Sequence, residues 1–199
     1  MKKTSMGGSG VINLDLLYDK KHIFGFFSHQ LNYPEKLTFH PDMWNEYVTE
    51  DAAGYADLQL YWEAMQTYSL NEIQELYTYT FDFQKDATLF MTYVKFADSK
   101  ERGQTLAQLK VLYEMFGLEM PDEELSDLLP LMCEFIYAAE WKGDPRAQQS
   151  FSMLLAVIED GSYFLMKALE KYESPWLHLI RALRETCKSC IQREVSAND

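Results

Sequence analysis

Large apolar residues recur at helical spacing along nearly the whole chain, and this periodicity limits the fold more than any other feature. Ile23, Phe24, Phe27 and Leu31 share one helical face and stop at Asn32-Tyr33-Pro34, where proline disfavours helix for the residue before it. Leu58, Tyr61, Trp62 and Met65 repeat the pattern. Ser69 or Asn71 stands where a cap belongs, ahead of a stripe of Ile73, Leu76, Tyr77 and Phe81. Ser99 opens the clearest helix, 99–116, with Leu106, Leu109, Leu112, Tyr113 and Phe116 on one face and Gly117 as a left-handed stop. Pro121-Asp122-Glu123-Glu124 has the acidic first-turn chemistry of a helix start, and Asp127 with Pro130 marks a restart or kink before a run to about Trp141. Asp144-Pro145 opens 146–159, closed near Asp160-Gly161. Ser174-Pro175 opens a last amphipathic helix to about Glu194.

Strand alternation is nearly absent. The aromatic and β-branched stretch 88–96 belongs to a connection with some helical content. There is no fixed-period repeat and no low-complexity tract, and punctuation is sparse, with 9 Gly and 6 Pro in 199 residues. These features predict an all-α, single-domain helical bundle of about seven to nine helices. It spans 11–194, between a disordered lead-in, 1–10, and a disordered tail, 195–199.

Composition narrows the function. Aromatics at 15% and a hydrophobic share of 47% exclude a disordered chain. With 18 Lys+Arg against 31 Asp+Glu the net charge is −13, the wrong sign for a nucleic-acid binder. No apolar run approaches the roughly 20 residues that cross a bilayer. Lys2 and Lys3 are followed by a polar, glycine-rich segment and not by the apolar core of a signal peptide. The three cysteines, Cys133, Cys187 and Cys190, do not make a disulfide framework. The expectation is a soluble, reduced, cytoplasmic protein without direct membrane insertion.

The acid is concentrated. From Leu37 to Gln84 there is no Lys or Arg, but there are Asp42, Glu46, Glu50, Asp51, Asp57, Glu63, Glu72, Glu75 and Asp82. From Val111 to Trp141 there is again none, against Glu114, Glu119, Asp122, Glu123, Glu124, Asp127, Glu134 and Glu140. Both stretches are rich in aromatic and aliphatic residues. They read either as solvated acidic faces or as an apolar groove with an acidic rim, suited to an amphipathic peptide carrying Arg or Lys.

Catalytic and metal motifs are missing. None of His22, His29, His40 and His178 has a Glu three residues before it, and no zinc-type His/Cys set occurs. Cys187-Lys188-Ser189-Cys190 lies in a C-terminal helix with no second pair, so its spacing reads as incidental. Asp122, Glu123 and Asp127 loosely resemble a magnesium–diphosphate motif of all-α enzymes, but no basic residue flanks them. No catalytic residue, metal ligand or cofactor site is expected.

Leu31-Asn32-Tyr33-Pro34, the segment 77–82, Arg102-Gly103-Gln104 and the segment 124–131, in that order, resemble elements of the NarJ-like assembly chaperones of the TorD/DmsD superfamily. Leu31-Asn32-Tyr33-Pro34 is similar to the end of that family's first helix, and Tyr77-Thr78-Tyr79-Thr80-Phe81-Asp82 to its Tyr-x-x-Leu-Phe-Asp element. Arg102-Gly103-Gln104 resembles its Asp-Arg-Gly-Gln helix start. Glu124-Leu125-Ser126-Asp127-Leu128-Leu129-Pro130-Leu131 resembles its Glu-Leu-Pro-Asp-His-Leu-Pro-Leu element, with Ser126 in place of Pro and Leu128 in place of His. A role resting on that imidazole does not carry over.

The resemblance implies a non-enzymatic cytoplasmic chaperone acting as a monomer or weak dimer. Its client would be the catalytic (alpha) subunit of a nitrate reductase, bound through a basic, apolar N-terminal peptide while the molybdenum cofactor is inserted. Tyr77, Phe81, Leu128 and Leu131 would be apolar groove contacts, and Asp127 with Glu124 the acidic partner of a Lys or Arg. The structural alternatives are core packing for Tyr77 and Phe81 and a helix cap for Asp127. Two other functions compete: a magnesium-dependent diphosphate enzyme, and a helical module with another basic-peptide client.

Overall fold

The computed structural model describes residues 11–120 and 124–192. The predicted lead-in 1–10, the helix start at 121–123 and the tail 195–199 lie outside the described residues. Among the described residues ten α-helices pack into one bundle: α1 Leu14–Asp19, α2 Lys21–Leu31, α3 Pro41–Tyr47, α4 Tyr55–Met65, α5 Leu70–Tyr77, α6 Tyr93–Phe96, α7 Lys100–Met115, α8 Leu129–Ala138, α9 Ala147–Lys171 and α10 Trp176–Ser189. A π-helical turn, Thr78–Asp82, continues α5. Two two-residue strands, Val11–Ile12 and Ile191–Gln192, pair antiparallel, with Val11 opposite Gln192.

Helix α2 is the centre of the bundle. Phe24, Phe26, Phe27 and Leu31 are fully buried, each worth about 1.5–3 kcal/mol. Helix α8 packs along it, and α10 joins α4 and α9 to the same core. The predicted stripes of α2 and α4 are the buried ones. Ser69 closes a full capping box with Glu72. Ser99 caps α7 by accepting from the Arg102 N–H, and Gly117 takes φ +84° just beyond it.

Three expected boundaries differ. Gly161 does not end a helix, since α9 runs unbroken through it for 25 residues. A Cβ there would lie 2.5 Å from the Met91 carbonyl oxygen, so this glycine serves close approach by the 88–92 segment. Helix α10 stops at Ser189, where the chain turns into the strand beside residue 11. Asp127 caps nothing: Leu128 occupies the N-cap of α8, and the Asp127 side chain is bonded elsewhere.

Candidate functional site

Tyr77 and Phe81 turn inward. Both are buried, with ring centroids 4.8 Å apart, and both meet Trp176 edge-on at 5.8 and 5.2 Å. This cluster finishes the C-terminus of α2, whose last carbonyls lack helical donors. The Tyr77 hydroxyl donates to the Leu31 carbonyl at 3.0 Å and Trp176 Nε1 to the Gln30 carbonyl at 3.1 Å, while Asn32 Nδ2 donates to that of Ser28. Burial pushes the Tyr77 phenol well above its usual value, and the nearby Asp82 and Glu124 carboxylates add to the shift. One acid from each lysine- and arginine-free stretch thus lies near enough to Tyr77 to act on its phenol.

Asp127 is fully buried. Its Oδ2 accepts from the Thr92 N–H at 3.1 Å and from the Thr92 hydroxyl, and Arg102 Nη2 lies 3.5 Å away. Arg102 Nε donates to the Thr92 hydroxyl at 3.1 Å. Backbone pairs tie Met91 to Asp127 and Leu129 to Leu89, each at 2.9 Å, with Phe90 opposite Leu128. Tyr113 donates to the Ser126 carbonyl, and the Ser126 hydroxyl to that of Leu106, each at 2.7 Å. Asp127, Leu128 and Ser126 thus belong to a joint between the 88–92 segment, the start of α7 and the start of α8. Leu131 is buried in the core, and Glu124 is the exposed member of the six expected site residues.

An exposed apolar patch lies beside α5 and its π-helical turn. Tyr33, Tyr79 and Phe83 are 50%, 52% and 72% exposed. A cleft of about 480 Å³ between them is lined also by Asn71, Gln74, Glu75 and Thr78. Tyr33 also lines a second cleft, of about 390 Å³, between the end of α2, the 33–39 loop, α4, α5 and α10. Its walls include Phe39, Tyr61, Met65, Ile73 and Trp176, with Glu35 and Lys36 among the lining side chains. Gln74 Nε2 donates to the Pro34 carbonyl at 2.8 Å and holds the loop against α5. Sequence reasoning missed this surface, although a signal existed: Tyr79 and Phe83 fall off the stripe of Ile73, Leu76, Tyr77 and Phe81.

A third cleft, of about 850 Å³, separates α7 from the start of α9. Its lining includes Val111, Met115, Arg146 and Met153 but no acid.

Among the described residues no group of three His, Cys, Asp or Glu side chains is placed to hold a metal ion, and no helix is long and apolar enough to cross a membrane. Asp122 and Glu123 of the diphosphate reading lie outside the described residues, and Asp127 is engaged by Thr92 and Arg102. Burial raises the thiols of Cys133, Cys187 and Cys190, which keeps them protonated and unreactive.

Residues 45–182 match the family model described as "Nitrate reductase delta subunit". The chain is 32% identical, over 88% of its length and 94% of the relative's, to the probable nitrate reductase molybdenum cofactor assembly chaperone NarJ of Bacillus subtilis. It is 27% identical to the probable chaperone of the same description, NarW, of Escherichia coli, over 57% of this chain and 46% of that one. It is 26% identical, over 55% of its length, to the nitrate reductase-like protein NarX of Mycobacterium tuberculosis, of which it spans 16%.

Proposed function

The chain belongs to the nitrate reductase delta subunit family, and from that premise we propose that it is an assembly chaperone for a nitrate reductase, acting by binding and not by catalysis. Its client is the catalytic subunit, held through a basic, apolar N-terminal peptide while the molybdenum cofactor is inserted, in the cytoplasm. The relatives named as cofactor assembly chaperones support the assembly role.

One observation carries the peptide reading: exposed aromatic side chains flank two clefts that share Tyr33, and Glu75 at the rim has no salt-bridge partner among the described residues. Apolar residues of the peptide seat against Tyr33, Tyr79 and Phe83 and supply affinity. Glu75, Asp82 and Glu124 attract its Lys or Arg residues and speed encounter. Tyr77, Phe81, Leu128 and Leu131 act from beneath, by fixing the helices that carry the surface. Asp127 acts through the joint with Arg102. This reading moves the contact residues one helix face outward and keeps Glu124 at the rim.

Calorimetry with a synthetic N-terminal peptide of the cognate catalytic subunit tests the proposal. Binding that weakens as salt rises is expected. A folded sample that binds nothing at low salt rules the reading out.

A further inference from the structure

The end of α2 has one polar group left over. Its Ser28, Gln30 and Leu31 carbonyls are all satisfied, by Asn32, Trp176 and Tyr77. The Gln30 side chain is 4% exposed; its Oε1 accepts from the Tyr61 hydroxyl at 3.1 Å, while its Nε2 is buried and has no hydrogen-bond partner. Such a donor weakens a folded protein, because it has lost water and gained nothing. Gln30 lines the cleft of about 390 Å³, between the aromatic walls Phe39, Tyr61 and Trp176. The space suits a large side chain together with the main chain that carries it.

We propose that this cleft is a side-chain pocket for the client peptide: one apolar residue enters between Phe39, Tyr61 and Trp176, and the Gln30 side chain turns toward the cleft so that its Nε2 donates to a main-chain carbonyl beside that residue. The inference rests on the peptide-binding reading above and adds a position and a chemistry to it. The acceptor is neutral: Lys36 offsets Glu35 within the lining, and the chain's net charge of −13 disfavours a carboxylate where an amide carbonyl is accepted. Client binding thus gives the amide an acceptor that the fold itself does not supply.

The test is a double variant, Gln30→Met with Tyr61→Phe, which removes the amide and the hydroxyl bonded to it at nearly constant volume. The unfolding midpoint is expected to stay or rise, while the same synthetic peptide binds about tenfold more weakly, a loss near 1.4 kcal/mol. A merely structural role would lower both together. In the unaltered protein, the Gln30 side-chain amide resonances should shift on peptide addition, a reading that needs no variant. If the peptide binds but neither affinity nor those resonances change, this inference is overturned and the proposed function stands. If the unaltered protein does not bind the peptide, both fall.

Discussion

In the stretch 37–84 the carboxylates face water. Among the described residues no Lys or Arg comes within salt-bridge distance of an acid of that stretch; Asp57 pairs with an imidazole nitrogen, His178 Nδ1 at 2.7 Å, and Glu75 borders an open cleft. In the stretch 111–141 the acid closest to the family-like motif does the opposite. Asp127 is fully enclosed, faces the chain's own Arg102 and holds three segments together. Similar composition serves two purposes, and what separates Asp127 is burial together with a cation from another element; Glu140 of the same stretch also meets one, Lys21, but stays in water. Arg102 comes from α7, outside both stretches. A buried carboxylate with such a partner is expensive to disturb, whereas an exposed one without it is cheap to change and free to attract a ligand.

The largest expected effect tests the buried half of this contrast. Asp127→Ala leaves Arg102 with only the exposed Asp98, 3.7 Å away, as a carboxylate partner and strips the Thr92 N–H of its acceptor, so denaturant unfolding should show a loss of about 3 kcal/mol. A loss below about 1 kcal/mol, with peptide affinity abolished, would return Asp127 to the binding surface. Gly161→Ala tests the same joint from the other side. Its Cβ meets Met91 backbone atoms, and thermal unfolding should register about 1–3 kcal/mol of destabilisation.

Charge reversal tests the exposed half. Glu75→Lys with Asp82→Lys should leave stability within about 0.5 kcal/mol and weaken the peptide about tenfold at low salt, with a flatter salt dependence. Equal losses of stability and affinity would erase the distinction between the stretches.

The smallest effect is pH-dependent and involves one acid from each stretch. Hydrogen bonds from Lys21 and then Tyr18 hold the Glu140 carboxyl below its usual value, and the Ser69 N–H does the same for Glu72. A depressed folded value means that the contribution is complete above the unfolded value of 4.5 and is lost as pH falls through the folded one. The unfolding midpoint should therefore decline slightly below about pH 4.5, and Glu140→Gln should remove part of that decline.

Local signals made much of this fold legible. The stripes of α2, α4 and α7 and the caps Ser69 and Ser99 are decided within one or two helical turns, and the chain shows them directly. What was not legible depends on distant neighbours. Gly161 looks like a stop because Asp160-Gly161 is ordinary terminator chemistry; its actual reason, the Met91 backbone, is some seventy positions away. Asp127 looks like a cap because Pro130 follows, and only the fold brings Thr92 and Arg102 to it. For the site, the motif around Tyr77 picked out side chains that the fold turns inward, beneath the surface proposed here. Tyr79 and Phe83 went unread, although they fall outside the core-facing stripe of Ile73, Leu76, Tyr77 and Phe81. Gln30 had no signal at all, since its empty donor follows from tertiary packing.

The central claim is that the client peptide sits on the outer face of α5 and in the cleft beside α2. Backbone amide shift mapping during titration with the synthetic N-terminal peptide tests it most directly. The account predicts perturbations concentrated in 29–39 and 70–83, reaching Glu124. Perturbations confined to the acid-free cleft between α7 and α9, around Val111, Met115 and Met153, would contradict it.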